Sequence, residues 1–151
     1  LTLGNFSYTG TFSAGAGTDT LVLGTASNIG GANVTGFENL TIATGGSVTM
    51  SAAQFAAATG TIVAAGTVAG TNGETVTLST AGTITGSAVI ENFVLANGTN
   101  AVTLATTAAN QTFTGGTGND AFTTTYANLA WKTINAGLGT DTVTVTDAVT
   151  A

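Results

Sequence analysis

Three stretches of this chain are near copies of one another, and they leave the backbone few options. They are Gly15-Ala16-Gly17-Thr18-Asp19-Thr20-Leu21-Val22-Leu23, Gly115-Gly116-Thr117-Gly118-Asn119-Asp120-Ala121-Phe122-Thr123 and Ala136-Gly137-Leu138-Gly139-Thr140-Asp141-Thr142-Val143-Thr144. The middle stretch meets the nonapeptide pattern G-G-x-G-x-D-x-U-x at every fixed position, and each of the others misses one glycine. In such a phrase the glycines permit a tight turn that bares carbonyls, and the aspartate adds a hard carboxylate oxygen. The apolar residue two places later opens an inward-facing strand. Repeated, the phrase builds coils of a parallel β-solenoid that can hold Ca²⁺ between them.

The intervening sequence fits coils. Short runs such as Thr20–Leu23, Thr75–Leu78, Thr83–Thr85 and Thr142–Thr146 alternate threonine with Val, Ile or Leu. Period two between small turn residues is the strand signal, and a 3.6-residue period is absent. Glycine (22) and threonine (35) outnumber the large apolar residues, which suits thin, regular β-structure rather than a bulky core. Two segments break the rhythm: Ser51–Ala58, with Ser51 as a helix cap, and Thr125–Lys132, each predicted to form a helical turn or two.

The chain also matches itself at long range. A shift of 101 residues lays Thr2, Leu3, Thr11, Phe12, Gly15, Gly17 and Asp19 on identical residues from Thr103 to Asp120. A looser match, about 53 residues apart, sets Phe37-Glu38-Asn39-Leu40 beside Ile90-Glu91-Asn92-Phe93. Self-similarity with evenly spaced strands predicts stacked coils. The expected fold is all-β: one right-handed parallel β-solenoid domain over 1–151, β-roll-like, with one or two short helical turns. It is expected to be a window of a longer repetitive chain. Leu21, Leu23, Val76, Leu78, Ile84, Val102, Leu104, Phe113, Phe122, Val143 and Val145 are predicted to point inward. An antiparallel sandwich is the rival architecture.

Charge and composition exclude several functions. Lys132 is the only cationic side chain against seven acids, giving a net charge of −6, so a nucleic-acid partner is not expected. With neither Cys nor His, thiol catalysis, a Cys/His zinc site and a Ser-His triad are impossible. No apolar run approaches the roughly 18 residues of a membrane helix. Glycoside cleavage by two carboxylates needs a cleft that so few aromatic and basic residues do not suggest, and no enzyme activity is expected.

In its glycine–aspartate phrases the chain resembles the haemolysin-type calcium-binding (RTX) repeat proteins of bacteria, in particular surface-layer and large secreted cell-surface proteins. The resemblance implies Ca²⁺ held between coils, with Asp120, Asp141 and Asp19 as carboxylate ligands. Gly116, Gly118, Gly137 and Gly139 would then offer carbonyls. It also implies secretion to the cell surface. In that family the nonapeptides run back to back, whereas here they are isolated, which implies a few ions rather than a continuous ladder.

Two further patterns stand out. Glu38-Asn39 and Glu91-Asn92 recur in one context, read as turns whose Asn side chains satisfy backbone groups, or as a further cation or coil-docking contact. The outward threonines suit a solvated face, a lattice contact or an ice-binding array. The expected function is a structural component of a bacterial extracellular assembly, a surface layer or filament. The alternative is a secreted adhesin or ice-binding module. The expected partners are copies of the chain itself and cell-surface polysaccharide.

Overall fold

A computed structural model describes residues 1–65, 73–104 and 110–147. The chain winds through about six turns of a parallel β-solenoid. Successive turns carry β1 (Thr2–Leu3) and β2 (Thr11–Ser13), then β3 (Thr20–Leu23) and β4 (Asn33–Thr35), then β5 (Asn39–Ala43), β6 (Ser47–Met50) and helix α1 (Ala52–Ala57). Next come β7 (Ile62–Ala65), β8 (Thr75–Leu78) and β9 (Thr83–Thr85), followed by β10 (Asn92–Val94) and β11 (Ala101–Thr103). After β12 (Gln111–Thr114) and β13 (Ala121–Thr124), helix α2 (Tyr126–Leu129) leads into β14 (Lys132–Asn135) and β15 (Thr142–Val145).

Every strand pairing is parallel among the described residues, which removes the antiparallel sandwich. Strands stack in the orders β1-β3-β5-β7, β6-β8-β10-β12-β14, β9-β11-β13-β15 and β2-β4. Lone bridges Ser7↔Asn28 and Asn28↔Thr49 extend the second stack down to the first turn. Helix α1 touches both β4 and β9, so it stands where a strand would otherwise continue that side of the coil. Ser51 caps it as expected: its hydroxyl accepts from Gln54 N–H at 3.1 Å, and the Gln54 side chain accepts from Ser51 N–H at 2.7 Å.

Alternation decides what lies inside. Leu21 and Leu23 of β3 stack on Leu40 and Ile42 of β5, and Val76, Phe93 and Phe113 stack across β8, β10 and β12. Phe93 and Phe113, one turn apart in register, lie parallel with centroids 5.0 Å apart, and Phe55 and Phe122 meet them edge-on. All of these are buried. Val143 and Val145, expected inside, are not: they are 49% and 37% exposed. Val143 does stack on Phe122, but no described turn follows β15 to cover it.

The long-range self-matches join different sides of the coil. Phe12 lies in β2 beside β4, whereas its match Phe113 lies in β12 of the five-stranded sheet. Likewise Glu38 precedes β5 and Glu91 precedes β10, in separate sheets. True registers run from 17 residues (Asn92↔Thr75) to 28 (Ser47↔Thr75).

Candidate functional site

Parallel stacking leaves a recurrent problem at each strand entry, where the backbone turns and its N–H loses the ladder partner it would have within a strand. The acids solve it. Asp19, Glu38, Glu74, Glu91, Asp120 and Asp141 each stand directly before a strand. From there, five of them reach back to a backbone N–H of the preceding turn. Glu38 accepts from Asp19 N–H at 3.0 Å, Glu74 from Gly45 N–H at 2.9 Å, and Glu91 from Glu74 N–H at 2.9 Å. Asp120 accepts from Asn100 N–H at 2.9 Å and Asp141 from Asp120 N–H at 2.8 Å. Asn100 extends that last column downward by accepting from Gly82 N–H at 3.2 Å.

Other asparagines work in the opposite direction, toward the next turn. Asn39 Oδ1 accepts from Thr61 N–H, Asn97 Oδ1 from Thr117 N–H, and Asn119 Oδ1 from Thr140 N–H, at 2.7, 3.0 and 2.9 Å. The role read for Asn39 holds, and Asn39 and Asn92 lie in separate sheets.

The spacing of 21 residues does stack Asp120 and Asp141 on successive turns, since Ala121 pairs with Thr142. Asp120 is 1% exposed. Its Oδ1 takes two bonds, from Asn100 N–H and from Asn100 Nδ2 at 2.8 Å, while its Oδ2 is buried without a hydrogen-bond partner. Asp19, implied as a carboxylate ligand, donates its N–H to Glu38, on the side of the coil built by β3 and β5. It is not brought to Asp120 and Asp141.

The glycines of the two C-terminal loops have a packing role. Gly98, Gly118 and Gly139 all take positive φ, at 109°, 136° and 143°. A Cβ on Gly139 would strike the Gly118 carbonyl, and one on Gly137 the Gly116 carbonyl. Two inter-turn bonds close the corner: Leu138 N–H to Gly116 O at 3.0 Å and Gly118 N–H to Leu138 O at 2.8 Å. Carbonyls expected to face a cation are thus partly used in joining turns. The feature that fits a cation is the orphaned Asp120 Oδ2, beside Gly115. Among the described residues no three acids gather into one cluster.

Glu74 and Glu91 form a buried carboxyl pair, 1% and 8% exposed. Burial pushes the Glu74 carboxyl up. A side-chain hydrogen bond with Glu91, together with the N–H of Gly45 and its own N–H, outweighs that and holds it below its usual 4.5.

On the β9-β11-β13-β15 sheet, register aligns the outward residues Thr85, Thr103, Thr123 and Thr144 into one rank across four turns. The flanking rank is mixed: Thr83, Ala101, Ala121 and Thr142. Among the described residues no helix is long and apolar enough to cross a membrane.

The fold and its strand-entry ladder define a parallel β-solenoid whose carboxylates join turn to turn. Protein-family models, curated proteins and solved structures offer no match to the chain.

Proposed function

We propose that this solenoid is a structural component of a bacterial extracellular assembly, a surface layer or filament. We further propose that Ca²⁺ stabilises its C-terminal turns. The observation that carries the reading is the use of the acids: six of the seven act as inter-turn acceptors, which suits a structural rod rather than a catalyst. Copies of the chain are the proposed partners. Calcium would be held by Asp120 Oδ2 with Asp141 and the carbonyls of the Gly116–Gly118 and Gly137–Gly139 loops, supplying positive charge to a buried carboxylate. Asp19 lies on another side of the coil and would serve only a separate ion.

Two measurements test this. Calcium bound only by the folded chain adds about 2.7 kcal/mol at a hundredfold excess over Kd. Melting temperature should therefore rise with calcium and fall back with chelator. Asp120→Asn keeps an oxygen for Asn100 but removes the charge, so it should lose that response. Identical melts with and without calcium would show the loops to be turns alone. Electron microscopy of the purified chain should show ordered sheets or filaments; only dispersed single particles at high concentration would defeat the assembly.

A second reading, an ice-binding module, is favoured by the four-threonine rank. Thermal hysteresis that vanishes in Thr103→Tyr would establish it in place of the first.

A further inference from the structure

The acids at strand entries give way to other residues along the side of the coil built by β8, β10, β12 and β14. Register there runs Glu74, Glu91, Gln111, Lys132. The first two are acids that reach back to the preceding turn. Gln111 instead sends its amide to the carbonyls of Ser87 and Ile90, both at 2.7 Å, and the next rung is the only lysine. One residue earlier on each turn, the column reads Ile90, Asn110, Trp131. It passes from a buried aliphatic residue to an exposed amide and then to the only tryptophan, 49% exposed.

These departures line one open cleft of about 440 Å³. Four successive turns contribute to it in register: Gly73, then Glu91 and Asn92, then Asn110, Gln111 and Thr112, then Trp131, Lys132 and Thr133. The rod does not require an indole here, because Ile90 fills the same column position out of solvent two turns earlier. Local rules broken together at one concave place mark a site rather than a scaffold.

The geometry points to a saccharide-binding cleft that takes an uncharged oligosaccharide along the solenoid axis. Sugar rings present an apolar C–H face, which an exposed indole covers, and a rim of hydroxyls, which amides and threonine hydroxyls satisfy. Asn92, Thr112 and Thr133 repeat at the inter-strand spacing of about 4.8 Å, close to the advance of a glycan chain per ring. Lys132 and Glu91 bring opposite charges to the same cleft, so the site as a whole does not select an anion. The inference is independent of calcium binding and of self-assembly.

Trp131 is the only tryptophan, so its fluorescence reports on the cleft directly. The probes are cellotriose, chitotriose and trigalacturonate, titrated against the whole chain. A saturable emission change with cellotriose or chitotriose is expected. By calorimetry, Trp131→Ala and Asn92→Ala should each weaken that binding about tenfold. Phe6→Ala, which removes an exposed aromatic residue from the first turn, outside the cleft, should bind as the wild type does. Unchanged melting temperatures would confirm that the variants remain folded. The proposal is overturned if none of the three sugars gives a saturable signal, if Trp131→Ala binds as tightly as wild type, or if trigalacturonate alone binds.

Discussion

A carboxylate at a strand entry does two jobs in this chain: it accepts a stranded backbone N–H, and it carries a charge that has to be accommodated where it is buried. Asp120 shows the first. Its removal in Asp120→Ala would leave the N–H of Asn100 without that acceptor, in a place where Asn100 is fully buried, while the Asn100 amide keeps the carbonyls of Ala96 and Gly98. An unsatisfied buried donor costs about 1–3 kcal/mol, so urea unfolding should show a loss within that range. Asp120→Asn should lose less, because an oxygen remains. Glu74 shows the second. Its folded-state carboxyl is held below 4.5, so the ionised form is favoured by folding. That contribution is fully present above the unfolded value and is lost as pH falls from about 4.5 through the lower folded value. Glu74→Gln should flatten the acid limb of a stability-versus-pH curve over that window while keeping an acceptor for Gly45.

Among elements, the glycine corners and the strand ends respond to substitution in ways that depend on the next turn. Gly17 and Gly139 both take φ above +130°, but a Cβ at Gly17 meets open space while one at Gly139 runs into the backbone of Gly118. Gly17→Ala should therefore cost only its conformational strain, about 1–2 kcal/mol. Gly139→Ala should cost clearly more, measured side by side by chemical denaturation. The same logic separates Phe122 from Val143, which occupy one inward column on adjacent turns. Phe122→Ala should cost about 3–5 kcal/mol, whereas Val143→Thr, at an uncovered rung, should stay within about 0.5 kcal/mol. Several elements were legible from sequence: Thr20–Leu23, Thr75–Leu78 and Thr83–Thr85 are strands with the bounds their alternation predicts, and Ser51 caps a helix. Others were not. Thr11–Ser13 and Asn33–Thr35 carry one apolar residue each, too few for a period to register, and become strands by pairing with each other. Lys132–Asn135 begins inside the helix signal read over Thr125–Lys132; the helix stops at Leu129, and Lys132 is drawn into the sheet by β12.

At the scale of the whole molecule, turns that touch only their neighbours should differ in local stability. Amides of β15, whose residues are all exposed, should exchange with solvent much faster than those of β10 and β12, which are paired on both sides around Phe93 and Phe113. Equal protection along the rod would show unfolding in a single cooperative step. The sequence alone determined what is local: alternation sets inside from outside, glycines permit the turns, and spacing of Asp120 and Asp141 by 21 residues stacks their loops. It could not assign sides of the coil. Each side makes the same local demands, an acid or amide before a strand of alternating residues, so the 101- and 53-residue self-matches are real in chemistry yet link different sheets. Only inter-turn hydrogen bonding, a long-range property, chose the register. That choice lined up Thr85, Thr103, Thr123 and Thr144, left Asp120 Oδ2 without a partner, and brought Trp131 over Asn110 into the cleft with Glu91 and Lys132.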